Sequence, residues 1–113
     1  MEIKFRIWIE NNDDVLAGNG RIKLLETIKT EGSISKAAIK MGISYKKAWK
    51  LIDSMNNASN KPLIITSTGG VGGGGASLSE EATQLISSFH SIQKSIQKLV
   101  NKKNTEIENL LHT

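Results

Sequence analysis

The feature that most constrains this chain of 113 residues is a pair of helical segments separated by almost no linker. Ser35 belongs to the residue types that cap helix N-termini, and it predicts a helix from Lys36 to Met41. Ser44 in the same way predicts a second helix from Tyr45 to about Asn57. Only Gly42 and the residue after it lie between the first helix and the second cap. Two helices joined by so short a turn cross at a steep angle.

The residue types at the crossing fit a helix-turn-helix that spans about Ser33 to Asn57. Ala38 is small enough to let the two backbones approach closely, and Gly42 tolerates the positive φ that the turn requires. Ile43 can fill the angle between the helices. The residues that share the apolar face of the second helix are Ala48, Leu51, Ile52 and Met55.

The opposite face of the second predicted helix is polar and rich in lysine. The candidate DNA contacts of the two helices are Ser33, Ser35, Ser44, Tyr45, Lys46, Lys47 and Lys50. A helix with an apolar inner face and a lysine-bearing outer face suits insertion into the major groove of double-stranded DNA. The simpler interpretation is a solvated lysine face, which any amphipathic surface helix can carry. The combined spacing of the small, glycine and apolar residues favours the DNA interpretation.

A hairpin and a further helix precede this segment. Residues 3 to 9 alternate between apolar and polar side chains, which predicts a half-buried strand, and residues 15 to 17 can return after the turn-rich run 11–14. The apolar positions of the first strand are Ile3, Phe5, Ile7 and Ile9. Asn19 is the predicted cap of a helix that ends at Gly32. The apolar residues of that helix at helical spacing are Ile22, Leu25 and Ile28.

A second hairpin follows the helix-turn-helix, with strands predicted at 63–66 and 76–78 and a glycine-rich tract between them. The tract matches the dinucleotide-binding pattern G-x-G-x-x-G, but the chain lacks the alternating βαβ units that this pattern requires. It is not a phosphate-binding P-loop, since no Gly-Lys-Ser/Thr closes it. A plain linker stays possible. We favour a hairpin wing whose bare amides approach DNA phosphates. Its candidate contacts are Thr68, Gly69, Gly70, Gly72 and Gly73.

The C-terminal segment predicts a long helix capped by Ser79. Its apolar residues have the 4, 3, 4, 3 spacing of a coiled-coil seam, namely Leu85, Phe89, Ile92, Ile96 and Leu99. We expect this seam to hold a homodimer, and the alternative is that it folds back on its own domain. The pattern breaks at residues 102–104, and the run 105–108 resembles a capping box that begins a short final helix.

Composition limits the function classes that need to be considered. The net charge is +4 and the pI about 9.4, which is consistent with a polyanionic partner. Cysteine is absent, and His90 and His112 lie far apart, so we expect no enzyme activity, no metal site and no cofactor. No long apolar stretch is present, so we expect a cytoplasmic protein that does not bind membranes. The predicted fold is mainly α with a small β component, a single domain. Residues 1–79 form its winged helix-turn-helix and residues 80–113 its dimerisation helix and tail.

Three segments together closely resemble the DNA-binding domain of the molybdate-responsive transcriptional regulators, the ModE family. They are Gly-Ser-Ile-Ser at 32–35, Ser-Tyr-x-x-Ala-Trp at 44–49 and Gly-Gly-x-Gly-Gly-Gly-Gly at 69–75. The resemblance covers about residues 3 to 100. It implies a LysR-like winged helix-turn-helix that dimerises through its last long helix and binds palindromic operators. On the matching positions, the recognition helix carries Ser44, Tyr45, Lys46, Lys47 and Lys50, and residues 69–75 form the wing.

The chain departs from the family at two points. The wing position that often holds lysine is Val71, and the flanking Ile65, Thr66 and Ser67 carry no charge. A protein-interaction module of the same fold that does not bind DNA is therefore the alternative function. Full-length members of the family also carry C-terminal molybdate-binding domains. The residues after Ser79 leave no room for one, so we expect no molybdate binding by this chain.

Overall fold

The computed structural model describes residues 1–67 and 74–112. In these residues the fold is mainly α with two small antiparallel hairpins, which confirms the predicted fold class. The elements are β1 (Ile9–Asn11), β2 (Asp14–Ala17), α1 (Asn19–Glu31), α2 (Ile34–Met41), α3 (Tyr45–Ser59), β3 (Ile64–Ser67), β4 (Gly75–Leu78) and α4 (Glu80–Leu111). Within the described ranges, no helix is both long and apolar enough to cross a membrane.

Helix α1 lies at the centre of the core and contacts α2, α3, β4 and α4. Its buried residues are Ile22, Leu24, Leu25 and Ile28. The predicted stop is confirmed, because Gly32 has φ +70° and its N–H donates to the Ile28 carbonyl over 2.8 Å. The predicted start is wrong by one residue. Gly18, not Asn19, is the N-cap, and no side chain caps this helix.

Helices α2 and α3 form the predicted helix-turn-helix. Gly42 has φ +69°, and the N–H of Ile43 donates to the Ala38 carbonyl over 3.0 Å, so the turn closes directly against the crossing point. Ala38 itself is buried. Ser35 is not the N-cap of α2. The helix begins two residues earlier, where the extended backbone of Ser33 lets its Oγ accept the Lys36 N–H over 3.2 Å.

The first hairpin is much shorter than the alternation of residues 3–9 predicts. Strand β1 pairs with β2 across a turn in which Asn12 and Asp13 both have positive φ, the conformation of a tight hairpin turn. Residues 3–8 lie outside any strand, since β2 has four residues and offers no ladder partner for them. This segment runs beside α4 instead. The Ile3 N–H donates to Oδ1 of Asn104 over 3.2 Å, and the Met1 amine lies 3.8 Å from Glu108.

The second hairpin has the predicted strands, with β3 paired to β4 from Ile64 opposite Leu78 to Ser67 opposite Gly75. Two contacts hold it against the helices. The Ala76 N–H donates to the Gly32 carbonyl over 2.9 Å, which joins β4 to the end of α1. The Leu63 N–H donates to Oδ1 of Asn56 over 3.0 Å, which joins the start of the hairpin to α3.

Helix α4 continues without interruption from Glu80 to Leu111, so the predicted break at residues 102–104 and the separate final helix are wrong. Those residues include neither glycine nor proline, and the Lys103 Nζ lies 3.1 Å from Glu106 one turn later. Thr105 does not act as a cap, because its hydroxyl donates back to the Asn101 carbonyl over 3.2 Å inside the helix.

Candidate nucleic-acid interface

Helix α3 is amphipathic in the way that its sequence predicts. Ala48, Ile52 and Met55 are completely or almost completely buried. The exposed residues of the opposite face are Lys46, Lys50, Asp53 and Asn57. An outward face with two lysines, an amide and one carboxylate is capable of contacting both base edges and phosphates of a DNA groove.

Both ends of α3 are fixed by specific hydrogen bonds. At the N-terminus the Oγ of Ser44 accepts the Lys47 N–H over 3.0 Å, which confirms the predicted cap. At the C-terminus Nδ2 of Asn11, from the first hairpin, donates to the Ala58 carbonyl over 2.7 Å. Asn12 adds a bond of 2.9 Å from its Nδ2 to Oδ1 of Asn60. The helix is therefore held at a defined angle before any ligand binds.

The predicted lysines of α3 are all exposed. Within the described ranges, no carboxylate pairs with Lys46, Lys47 or Lys50 at salt-bridge distance. Tyr45, at the start of the helix, is 55% exposed and makes an edge-to-face contact with Trp49, with ring centroids 6.3 Å apart. Unpaired ammonium groups beside an exposed aromatic ring are suited to a polyanionic partner.

A cleft of about 520 Å³ separates α3 from the second hairpin, and we call it the wing cleft. Residues of α2, α3 and the hairpin line it, including Ser33, Ser35, Lys36, Tyr45, Trp49 and Thr66. The structure thus brings together Ser33, Ser35 and Tyr45 from the predicted contacts. Lys36 also belongs to the cleft and was not predicted. Its position in the first turn of α2, next to two predicted serines, was the available signal.

The predicted wing contacts Thr68, Gly69, Gly70, Gly72 and Gly73 lie outside the described residues. The described part of the wing is uncharged. Ile65, Thr66 and Ser67 are exposed, and the Oγ of Ser67 accepts the Gly75 N–H over 3.2 Å.

The predicted dimerisation seam on α4 divides into two parts. Phe89 is completely buried in the core of its own domain, and Leu85 packs partly against that core, so Phe89 is wrong as a dimer contact. Ile96 is half-buried. Ile92 and Leu99 are 42% and 56% exposed. The exposed apolar positions continue beyond the predicted seam to Ile107, which is 38% exposed.

A helix-turn-helix followed by a two-stranded hairpin that borders its second helix defines a winged helix-turn-helix domain. The family model described as "Bacterial regulatory helix-turn-helix protein, lysR family" matches residues 20–83, from α1 to the start of α4. The chain belongs to this family.

Curated relatives extend the similarity over more of the chain. It is 33% identical over 97 residues to the molybdenum transport protein ModE of Azotobacter vinelandii, covering 86% of this chain and 36% of that protein. It is 38% identical over 98 residues to the DNA-binding transcriptional dual regulator ModE of Escherichia coli K12, covering 87% and 37%. With the molybdenum-pterin-binding protein MopB of Rhodobacter capsulatus the identity is 39% over 84 residues, covering 74% and 31%. The chain spans about a third of the length of these relatives.

Proposed function

We propose that this chain binds double-stranded DNA as a transcriptional regulator, with α3 in the major groove. The observation that carries the proposal is the division of α3 into a buried apolar face and an exposed face with unpaired Lys46 and Lys50. Membership in a family of bacterial regulatory helix-turn-helix proteins supports it. So does the similarity to a relative that is described as a DNA-binding transcriptional regulator.

The fixed geometry of α3 suggests how the work is divided among its residues. Lys46, Lys50 and Asn57 all face outward along the helix, with one turn between the lysines and two turns from Lys50 to Asn57, so they meet base edges and phosphates as the helix enters the groove. The exposed hydroxyl of Ser35 and the first-turn amides of α2 lie at the wing cleft, where a helix N-terminus favours a phosphate group. Phosphate contacts fix the register, and base contacts read the sequence.

We further propose that the chain acts as a homodimer through the outer part of α4. Ile92, Leu99 and Ile107 form an exposed apolar stripe on a helix that reaches well beyond the core of the domain. Such a stripe favours association in water. A two-fold axis along α4 would present two α3 helices to half-sites of a palindromic operator spaced by about 34 Å or a multiple of it.

The experiment is a fluorescence-anisotropy titration of duplex DNA across a salt series, first with random duplex and then with sequences selected from a random pool. The test variant is Lys46→Ala/Lys50→Ala. We expect weaker binding and a salt slope reduced by up to about two, since each lost phosphate contact lowers the slope by about 0.9.

The matched control is Lys94→Ala/Lys98→Ala, which removes the same charge from exposed positions of α4. We expect this control to bind like the unmodified chain. If the two double variants bind DNA equally well, α3 is not the recognition helix. If the unmodified chain binds no duplex at any salt concentration, the protein-interaction module with an uncharged wing becomes the preferred function.

A further inference from the structure

A second cleft, of about 420 Å³, borders α3 on the flank opposite the wing cleft, and we call it the α1 cleft. The residues that define it are Arg6, Trp8, Gly18, Arg21, Lys47 and Leu51. Tyr45 and Trp49 of α3 belong to the wing cleft, whereas Lys47 and Leu51 belong to the α1 cleft. The recognition helix is therefore flanked by a cleft on each side.

Three cations from three different elements converge on the α1 cleft. Arg6 comes from the segment before β1, Arg21 from the first turn of α1 and Lys47 from the first turn of α3. Asp14 is the carboxylate that acts electrostatically on Arg21, and Asp53 lines the adjoining surface beside Lys47. Glu10 is a third carboxylate beside the cleft, because its Oε1 accepts the Nε1–H of Trp8, and Lys50 is a fourth cation on the adjoining surface. Four cations against three carboxylates leave this side of α3 with a small positive balance.

The Arg21 guanidinium has one hydrogen-bond acceptor and one buried N–H without a partner. Its Nη2 donates to the Oγ of Ser54 over 3.3 Å, but its Nε is buried and has no hydrogen-bond partner among the described residues. Burial lowers the pKa of Arg21 from its ordinary value, and the charge of Asp14 offsets only part of that effect. A buried donor without an acceptor is costly, so this N–H favours a nearby acceptor such as an ordered water or an anion oxygen.

The N-terminus of α1 opens on the same cleft. In α2, α3 and α4 a serine side chain accepts a first-turn N–H, whereas the N-cap of α1 is Gly18, so α1 has no side-chain cap, and its first turn has no acidic residue. The first turn is open at Gly20, where an added Cβ would meet nothing within 4 Å, whereas at Gly18 it would lie 3.5 Å from the Cβ of Trp8. The positive end of the helix dipole therefore adds to the three cations.

We propose that the α1 cleft binds a phosphate of the DNA backbone on the side of the major groove opposite the wing. This rests on the proposed function, because it takes α3 to lie in the groove. The two walls of a major groove are the two phosphate backbones, and a helix between them has one backbone on each flank. The wing cleft meets one backbone, and the Arg6, Arg21 and Lys47 side chains meet the other.

The test variant is Arg6→Ala. Arg6 is exposed, whereas Arg21 makes a structural hydrogen bond and Lys47 follows the Ser44 cap, so losing Arg6 disturbs the fold least. We expect binding at about 0.15 M salt to weaken on the order of five-fold for every duplex sequence, with a salt slope reduced by about 0.9. Arg6→Lys, which keeps the charge, should retain most of the slope. Lys98 lines neither cleft, so Lys98→Ala should leave both the affinity and the salt slope unchanged.

A neutral-backbone scan locates the contact. In a selected operator, each phosphate in turn is replaced by a methylphosphonate. We expect one position per half-site to weaken binding of the unmodified chain and to have no further effect on Arg6→Ala.

The outcomes separate this proposal from the proposed function. If the unmodified chain binds DNA while Arg6→Ala and Lys98→Ala behave alike, the cleft proposal is wrong and the proposed function stands. If Arg6→Ala relaxes selectivity at a single base pair, Arg6 contacts a base, which also overturns the proposal. If no duplex is bound, the proposed function itself fails.

The alternative ligand of the α1 cleft is a free oxyanion, which offers negatively charged oxygen acceptors as a DNA phosphate does. Calorimetric titration with inorganic phosphate, sulfate and molybdate distinguishes it, and we expect no binding in the micromolar range for any of the three. Selective micromolar binding that Arg6→Ala abolishes would identify the cleft as a small-ion site and overturn the DNA assignment.

Discussion

The helix-turn-helix and α4 differ in how far their apolar side chains are buried. In α2 and α3 the large apolar side chains of the crossing are buried or packed against the core, and most exposed positions are polar, the exceptions being Ile39 and Tyr45, which are 78% and 55% exposed. In α4 only the first part packs against the domain, with Ala82 and Phe89 buried. Beyond Phe89 the same helix exposes Ile92, Leu99 and Ile107 to solvent.

This difference shows which apolar surfaces are covered within a single chain and which stay exposed. Apart from Ile39, the aliphatic side chains of the recognition unit pack internally, so the exposed face of α3 is free to bind a ligand. The outer part of α4 has the amphipathic pattern of a packed helix, and although the N-terminal segment runs beside it, Ile92 and Leu99 stay exposed. In the proposed dimer, the boundary between folding and association therefore lies within α4, between Phe89 and Ile92.

The largest effect that tests this boundary is expected from Phe89→Ala. Phe89 is fully buried, and truncating such a residue costs about 3–5 kcal/mol, a large part of the stability of a small domain. Denaturant unfolding followed by circular dichroism measures the cost. For comparison, Leu99→Ala should cost much less, and its effect should depend on protein concentration because it acts through association. Equal, concentration-independent costs would place both residues in one core and remove the boundary.

A smaller effect is expected from Ile92→Glu, just beyond the boundary. A charge in the proposed seam should weaken dimerisation at least ten-fold, or about 1.4 kcal/mol, and leave the helical content unchanged. Sedimentation velocity over a concentration series measures the association. Ser91→Glu is the matched control, because it adds the same charge at the adjacent exposed position, outside the seam. A chain that sediments as a monomer before any substitution contradicts the dimer proposal outright.

The sequence predicts most of the helix-turn-helix because local rules determine it. Gly32 and Gly42 adopt the left-handed conformation expected of glycines that end helices, and Ser44 caps α3 through its own hydroxyl. These features depend on residues within one turn of each other, so the chain itself carries the information.

Some errors are local, such as the cap at Ser35 and the break at residues 102–104, but others arise where a contact distant in sequence determines the structure. The spacing of Phe89 and Ile92 correctly predicts one face of a helix, but it does not tell whether the chain's own core or a second copy covers that face. The alternation of residues 3–8 predicts an extended segment, yet strand pairing was limited by the length of β2. The α1 cleft joins Arg6, Arg21 and Lys47 across the fold, and no local pattern links these three positions.

The smallest effect that sharpens the comparison concerns the start of α2, where sequence and structure assign the cap to different serines. The Oγ of Ser33 accepts the Lys36 N–H over 3.2 Å, whereas Ser35 lies exposed inside the first turn. Ser33→Ala should therefore destabilise the domain by about 1 kcal/mol, the usual cost of losing a cap, and Ser35→Ala should change its stability by less than about 0.5 kcal/mol. Thermal unfolding of the two variants side by side measures the difference. The reverse order would move the start of α2 to Ser35. The first turn of the recognition unit would then be frayed, and the contrast between a fully folded helix-turn-helix and the exposed stripe of α4 would be weaker.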